Sequence, residues 1–148
     1  MGGLTEILCE MASLLKFKVI VQTSEEEKER YPSAAEIITD MLELEDIDFH
    51  VDYFILATHH SNDDRISLEA LKKGIPYVGV VASAKKTGII LEYLKKNGVT
   101  EDELEHFFSP TGLELNAKTP EQIALSILSE MVMLENGGSG KQKKSIIK

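Results

Sequence analysis

Apolar residues recur along this chain with two periods. Leu4, Ile7, Leu8, Met11, Leu14 and Leu15 return every three or four positions, which predicts an amphipathic helix over 4–16. "FKVIVQ" (17–22) is a short β-branched run and predicts a strand, as does the weaker "AEIIT" (35–39). "SEEEKERYP" between them reads as a solvated, helical turn ending before Pro32. "VDYFILAT" (51–58) and "PYVGVVAS" (76–83) are continuous apolar runs, the pattern of strands buried on both faces. "NDDRISLEALKKG" predicts a helix stopped by Gly74, and "KKTGIILEYLKKNG" one ending at Asn97-Gly98. "TEDELEHF" (100–107) reads as a short capped helix. "KTPEQIALSILSEMVML" (118–134) reads as a long one, with Thr119 as N-cap and Pro120 in its first turn.

Strands alternate with helices, so the pattern predicts a three-layer, Rossmann-like α/β fold with a mainly parallel sheet. In such folds a central first strand leads through a glycine turn into a helix whose N-terminus faces a phosphate. Here Gly2 and Gly3 lead directly into the first helix, with no strand before them. That absence leaves 17–22 and 51–58 unpaired on one side. The tail "GGSGKQKKSIIK" offers a substitute. A helix over 118–134 ends where a central strand begins, a 137–140 Gly/Ser linker bridges the gap, and 141–148 supplies the strand. The expectation is a circular permutant, with 1–136 and 141–148 completing one domain. The plain alternative is an expression remnant or a disordered basic tail.

The chain has 148 residues, 43% hydrophobic and 28% charged, which suits one soluble globular domain. No apolar run approaches the roughly 20 residues of a membrane span, and no signal peptide is apparent. A lone Cys9 admits no internal disulfide and fits a reducing, cytoplasmic setting. Net charge is −9, so nucleic acid is not an expected partner, although a local pocket for a small anion is compatible with it.

Candidate chemistry clusters where strands end. Thr58, His59, His60, Asp63 and Asp64 follow a strong strand, at the edge where open α/β sheets bind ligands. They suit a phosphate, a metal or a proton transfer; equally, an aspartate here caps the next helix. Adjacent histidines on extended chain point apart and rarely share one ion. Ser83 with Lys85 or Lys86 ends the next strand and suits an anion, or else is an ordinary N-cap beside solvated lysines. "SPTGLELNAKTP" (109–120), with Pro110 and Gly112, is a tight turn near the same edge or a simple connection. His50 and His106 read as surface residues and Cys9 as a buried, inert thiol. The 118–134 helix is apolar nearly all round, so it buries more than one face, against the sheet and against a second copy in a homodimer. There is no Ser-His-Asp order, no CxxC, no P-loop lysine and no carboxylate pair of glycosidase type.

"ATHHSNDD", "PYVGVVASAKK", "SPTGLEL" and "TPEQIALSILSEM" occur in the order and spacing of one family. In these motifs the chain resembles the Rossmann domain of the xanthine dehydrogenase accessory factors, XdhC/CoxI, from about residue 4 to 135. The resemblance implies an accessory protein that binds molybdenum cofactor (molybdopterin) and helps insert it into a molybdenum hydroxylase client, such as xanthine or carbon monoxide dehydrogenase. A cysteine desulfurase is an implied partner. It also implies a site lined by Gly2, Gly3, Leu4, Thr58 and His59 on one side, and by Asp64, Ser83, Lys85, Pro110 and Gly112 on the other. The chain departs from the pattern at Ser61, where a histidine is common, at Ala82, where glycine is usual, and at Ala84, where a basic residue is usual. The family's separate N-terminal domain has no counterpart in these 148 residues. The alternative reading is an NAD(P)-binding oxidoreductase or redox sensor, but Gln22-Thr23 stands where an acidic residue would grip the ribose. A third is an interaction scaffold with an empty pocket.

Overall fold

A computed structural model describes residues 3–40, 43–57 and 62–147. Among these residues the strands form two parallel ladders. β1 (Ile20–Gln22) pairs with β2 (Glu36–Ile38), Val21 opposite Ile37. β3 (Tyr53–Leu56), β4 (Tyr77–Val80) and β5 (Phe107–Phe108) form the second ladder in that order, with Gly79 facing Ile55 on one side and Phe108 on the other.

The alternation of side chains along β3 and β4 builds two cores, one on each face of the sheet. Phe54, Leu56, Val78 and Val80 point toward α2 (Asp63–Lys73) and α3 (Ala84–Lys96), meeting Ala70, Leu71, Ile90 and Leu94. Tyr53, Ile55 and Tyr77 point the other way, toward Ala12 of α1 (Leu4–Leu14) and toward Ile127, Leu128 and Met131 of α5 (Pro120–Asn136). Helices thus cover both faces, which makes the three-layer Rossmann-like arrangement expected from the pattern.

Glycine at position 79 follows from this packing. A Cβ there would stand 2.7 Å from the Tyr77 ring and 2.9 Å from Thr111 Oγ1. The helix ends obey local chemistry. Ser83 and Thr119 cap α3 and α5, and Gly74 and Gly137 close α2 and α5 in left-handed conformations. α4 (Glu101–Leu104) starts on a reciprocal capping box between Thr100 and Glu103.

The two ladders lie side by side. The rings of Phe17 and Tyr53 meet edge-on at 5.5 Å, and Val19 and Ile55 share one core, so β1 and β3 start at the same edge and run together. They are not paired with each other. The exposure pattern shows the consequence. β4, flanked on both sides, is buried throughout, whereas Tyr53, Phe54 and Ile55 of β3 are only half-buried. Among the described residues of 51–58, the expectation of burial on both faces therefore holds for Leu56 alone.

The tail is the principal correction. Residues 143–146 form α6 (Lys143–Ile146), a single helical turn with no buried residue, in place of the expected strand. Its backbone bonds are local, Ser145 to Gln142 and Ile147 to Lys143, and no described tail residue joins β1 or β3. Physically, Gly140 takes a left-handed φ of 74° beside Met133, folding the linker back against the end of α5. The segment expected as one capped helix, 100–107, is also divided, into α4 and the start of β5.

Candidate functional site

The starts of β1 and β3 define one edge of the molecule, and the ends of β3, β4 and β5 the opposite one. α1 ends at the first edge, where the Phe17 amide donates to Ala12. An 11-residue helix runs back about 16 Å, carrying Gly3 toward the second edge. Gly3 has φ 96°, and only Ile7 Cδ1, at 3.7 Å, approaches where a Cβ would be. It is the turn residue that the sequence pattern requires. The Leu4 side chain is 2% exposed among the core residues, so what it offers at this turn is backbone.

After β4, Ser83 Oγ accepts from the Lys86 amide at 3.1 Å, which makes it the N-cap of α3. After β5, the Ser109–Pro110 bond is cis. Thr111 then donates to Val80 O at 3.0 Å, so this loop extends the ladder beyond β5 and lies over the end of β4. The Ser109 hydroxyl bonds Thr87 of α3 at 2.7 Å. Gly112, at φ 110°, donates to Glu130 of α5 at 2.9 Å, and a Cβ on it would stand 2.6 Å from Ser126 Oγ. Gly112 is thus occupied in holding the loop on α5. Pro110 is exposed beside it.

The charged centre of this edge is an ion pair. Lys86 Nζ donates to the Asp63 carboxylate at 2.6 Å. Asp63 is the first residue of α2 and is 1% exposed; the Lys86 side chain is 35% exposed. A carboxylate at a helix N-terminus is favoured by the helix dipole. One turn on, Ser67 Oγ is fully buried and makes no hydrogen bond among the described residues.

Of the acidic and basic doublets singled out in the sequence, Asp63 and Lys86 are the members that form the pair. Asp64 is half-exposed and accepts from the amide of the next residue, Arg65, at 2.7 Å. Lys85 is exposed. Helical phase carried the missing signal. Asp63 lies four, seven and eight residues before buried Ser67, Ala70 and Leu71. Lys86 lies four and eight before buried Ile90 and Leu94, whereas Lys85 is in phase with Ile89, which is 56% exposed. Gly2, Thr58, His59 and His60 lie outside the described residues.

The other residues singled out in the sequence fall elsewhere. Cys9 is buried, and burial, with the Glu10 charge adding to it, raises its thiol above the usual range. His50 pairs with Asp52 on the surface, and His106 bonds Pro76 O. Among the described residues no cluster of three His, Cys, Asp or Glu is placed to hold a metal, and no helix is long and apolar enough to cross a membrane. At the end of β1, Gln22 donates to Asp40 O rather than presenting an acid to a ribose.

Comparison with known proteins agrees with this architecture. The chain is 28% identical over 146 residues to the uncharacterized protein YqeB of Escherichia coli (strain K12), covering 94% of the chain and 27% of that protein. It is 31% identical over 106 residues to a protein of Bacillus subtilis (strain 168) described as a probable xanthine dehydrogenase subunit, covering 69% of the chain and 30% of the relative. A crystal structure described as a xanthine dehydrogenase from Bacillus halodurans superposes with a TM-score of 0.77 at 30% identity, over 92% of this chain and 42% of that one. The chain therefore spans less than half the length of each of these relatives. A family model described as the XdhC Rossmann domain matches residues 1–131, and with the fold above it places the chain in the XdhC Rossmann-domain family.

Proposed function

We propose that this chain is a cofactor-holding domain of the xanthine dehydrogenase accessory type. It would bind molybdenum cofactor, or a nucleotide with similar anionic groups, for delivery to a molybdenum hydroxylase. The observation that carries the reading is the convergence at one sheet edge of the Ser83 turn, the Asp63–Lys86 pair and the Ser109–Gly112 loop, with α1 turning its N-terminus the same way. Open α/β sheets bind ligands at that edge.

The residues present fit the anionic end of such a group. Gly3 permits close backbone approach, the first-turn amides of α1 and α3 are oriented donors, and Lys86 supplies a cation. The cofactor, when bound, would supply the molybdenum chemistry; this chain's part is to hold and shield it. The Bacillus subtilis relative, by its description as a probable xanthine dehydrogenase component, supports a role beside that enzyme class.

Anaerobic native mass spectrometry with added molybdenum cofactor, NAD and NADP tests the reading. Retention of the molybdenum species is the expected result. Retention of a nicotinamide dinucleotide alone would replace it with the oxidoreductase alternative, and retention of none would overturn it.

A further inference from the structure

The geometry points to Lys86 as the residue that meets the ligand's phosphate, with Asp63 as the positioning residue that aims it. This inference rests on the preceding reading that the edge holds a phosphate-bearing cofactor. The ligand class is a phosphate monoester or a pyrophosphate.

The pair is asymmetric in a way that a structural tie does not need. The carboxylate is 1% exposed, while a third of the lysine side chain faces outward. Lys86 is fixed at both ends, its amide on Ser83 Oγ at 3.1 Å and its ammonium on Asp63 at 2.6 Å. An ammonium has three donors, and the bond to Asp63 engages one and sets the direction of the others. The position is electrostatically unusual as well. Lys86 lies in the first turn of a 13-residue helix, where the dipole disfavours a cation and favours an anion. A buried ion pair is also weak evidence for stability by itself, because desolvation offsets the attraction. A lysine placed against a dipole and held by a buried carboxylate is arranged for an anion arriving from outside.

The test is an NMR titration of the full chain with inorganic pyrophosphate and with AMP, following the amides of 84–87 and the Lys86 ammonium. Saturable shifts at both are expected, and the tighter of the two probes tells pyrophosphate from monoester. Lys86→Met alone would remove the cation paired with a buried carboxylate, so the informative variant is Asp63→Asn with Lys86→Met, which removes both charges and leaves net charge unchanged. Its affinity should fall about tenfold or more, the worth of one charge-assisted hydrogen bond. Lys85→Met, which does lower net charge, should stay within about twofold, since an exposed charge is screened. General electrostatics predicts the reverse order. Equal losses in the two variants, or an unchanged double variant, would overturn the assignment while leaving cofactor retention in the mass spectrometer intact. The absence of saturable shifts in the unmodified chain would overturn it as well.

Discussion

Tyr77 joins three parts of the molecule through one hydroxyl. It donates to Glu130 of α5 at 2.7 Å, meets Thr111 of the cis-proline loop, and stacks its ring on Phe108 at 4.2 Å. Burial, then the bond and charge of Glu130, raise its pKa far above the ordinary tyrosine value near 10. The sign follows from linkage. Below that ordinary value both folded and unfolded chains keep the proton, and stability is complete. Above it only the unfolded chain ionises, so stability falls by up to about 1.4 kcal/mol per pH unit. Thermal midpoints measured from pH 8 to 11 should therefore drop steeply above about pH 10. Tyr77→Phe should lose about 1 kcal/mol at neutral pH and show a shallower alkaline drop, retaining the shares of Tyr53, whose pKa burial and Glu135 raise, and of Cys9, whose thiol burial raises. An identical alkaline slope in the variant would remove Tyr77 from the explanation. Nothing in the local sequence signals this network, because its partners are 34 and 53 residues away. The ion pair was half legible in the same sense. "DD" and "KK" marked the right turns, but burial by neighbouring helices selected one member of each doublet.

At the scale of elements, end signals were the most legible feature. Thr119 at the start of α5 accepts from the Gln122 amide at 3.1 Å, with Pro120 following. Thr119→Ala should cost about 1 kcal/mol in denaturant unfolding. Thr119→Ser should cost little, since it retains the acceptor. Gly112 was legible as a turn residue but not as a contact. Its Cβ would collide with Ser126 and crowd Ile127 N at 3.3 Å, while its φ of 110° disfavours any side chain. Gly112→Ala should therefore destabilise by about 2 kcal/mol or more, read as a lowered urea midpoint with unchanged m-value. A loss smaller than that of Thr119→Ala would mean the loop gives way easily. The least legible elements were those that tertiary contact creates. β5 is two residues long, and its ladder exists because the Val78 amide donates to His106 O at 2.8 Å. The β-branched Ile146 and Ile147 read as strand residues, yet without a pairing partner among the described residues Ser145 and Ile146 join one exposed helical turn.

For the molecule as a whole, the seam between β1 and β3 sets a gradient of local stability. A residue in a parallel strand directs its amide and carbonyl to the same side. Val19 O accepts from Ala35 N, so the amides of Ile20 and Gln22 face the seam. Leu56 O accepts from Val81 N, so the Ile55 amide faces it too. Val78 and Val80, by contrast, lie in the strand flanked on both sides and are 0% exposed. Native-state hydrogen exchange should find Val78 and Val80 opening only with global unfolding. Ile20, Gln22 and Ile55 should exchange at least about 100-fold faster, through local opening. Equal protection of Ile55 and Val80 would mean that a strand fills the seam in solution.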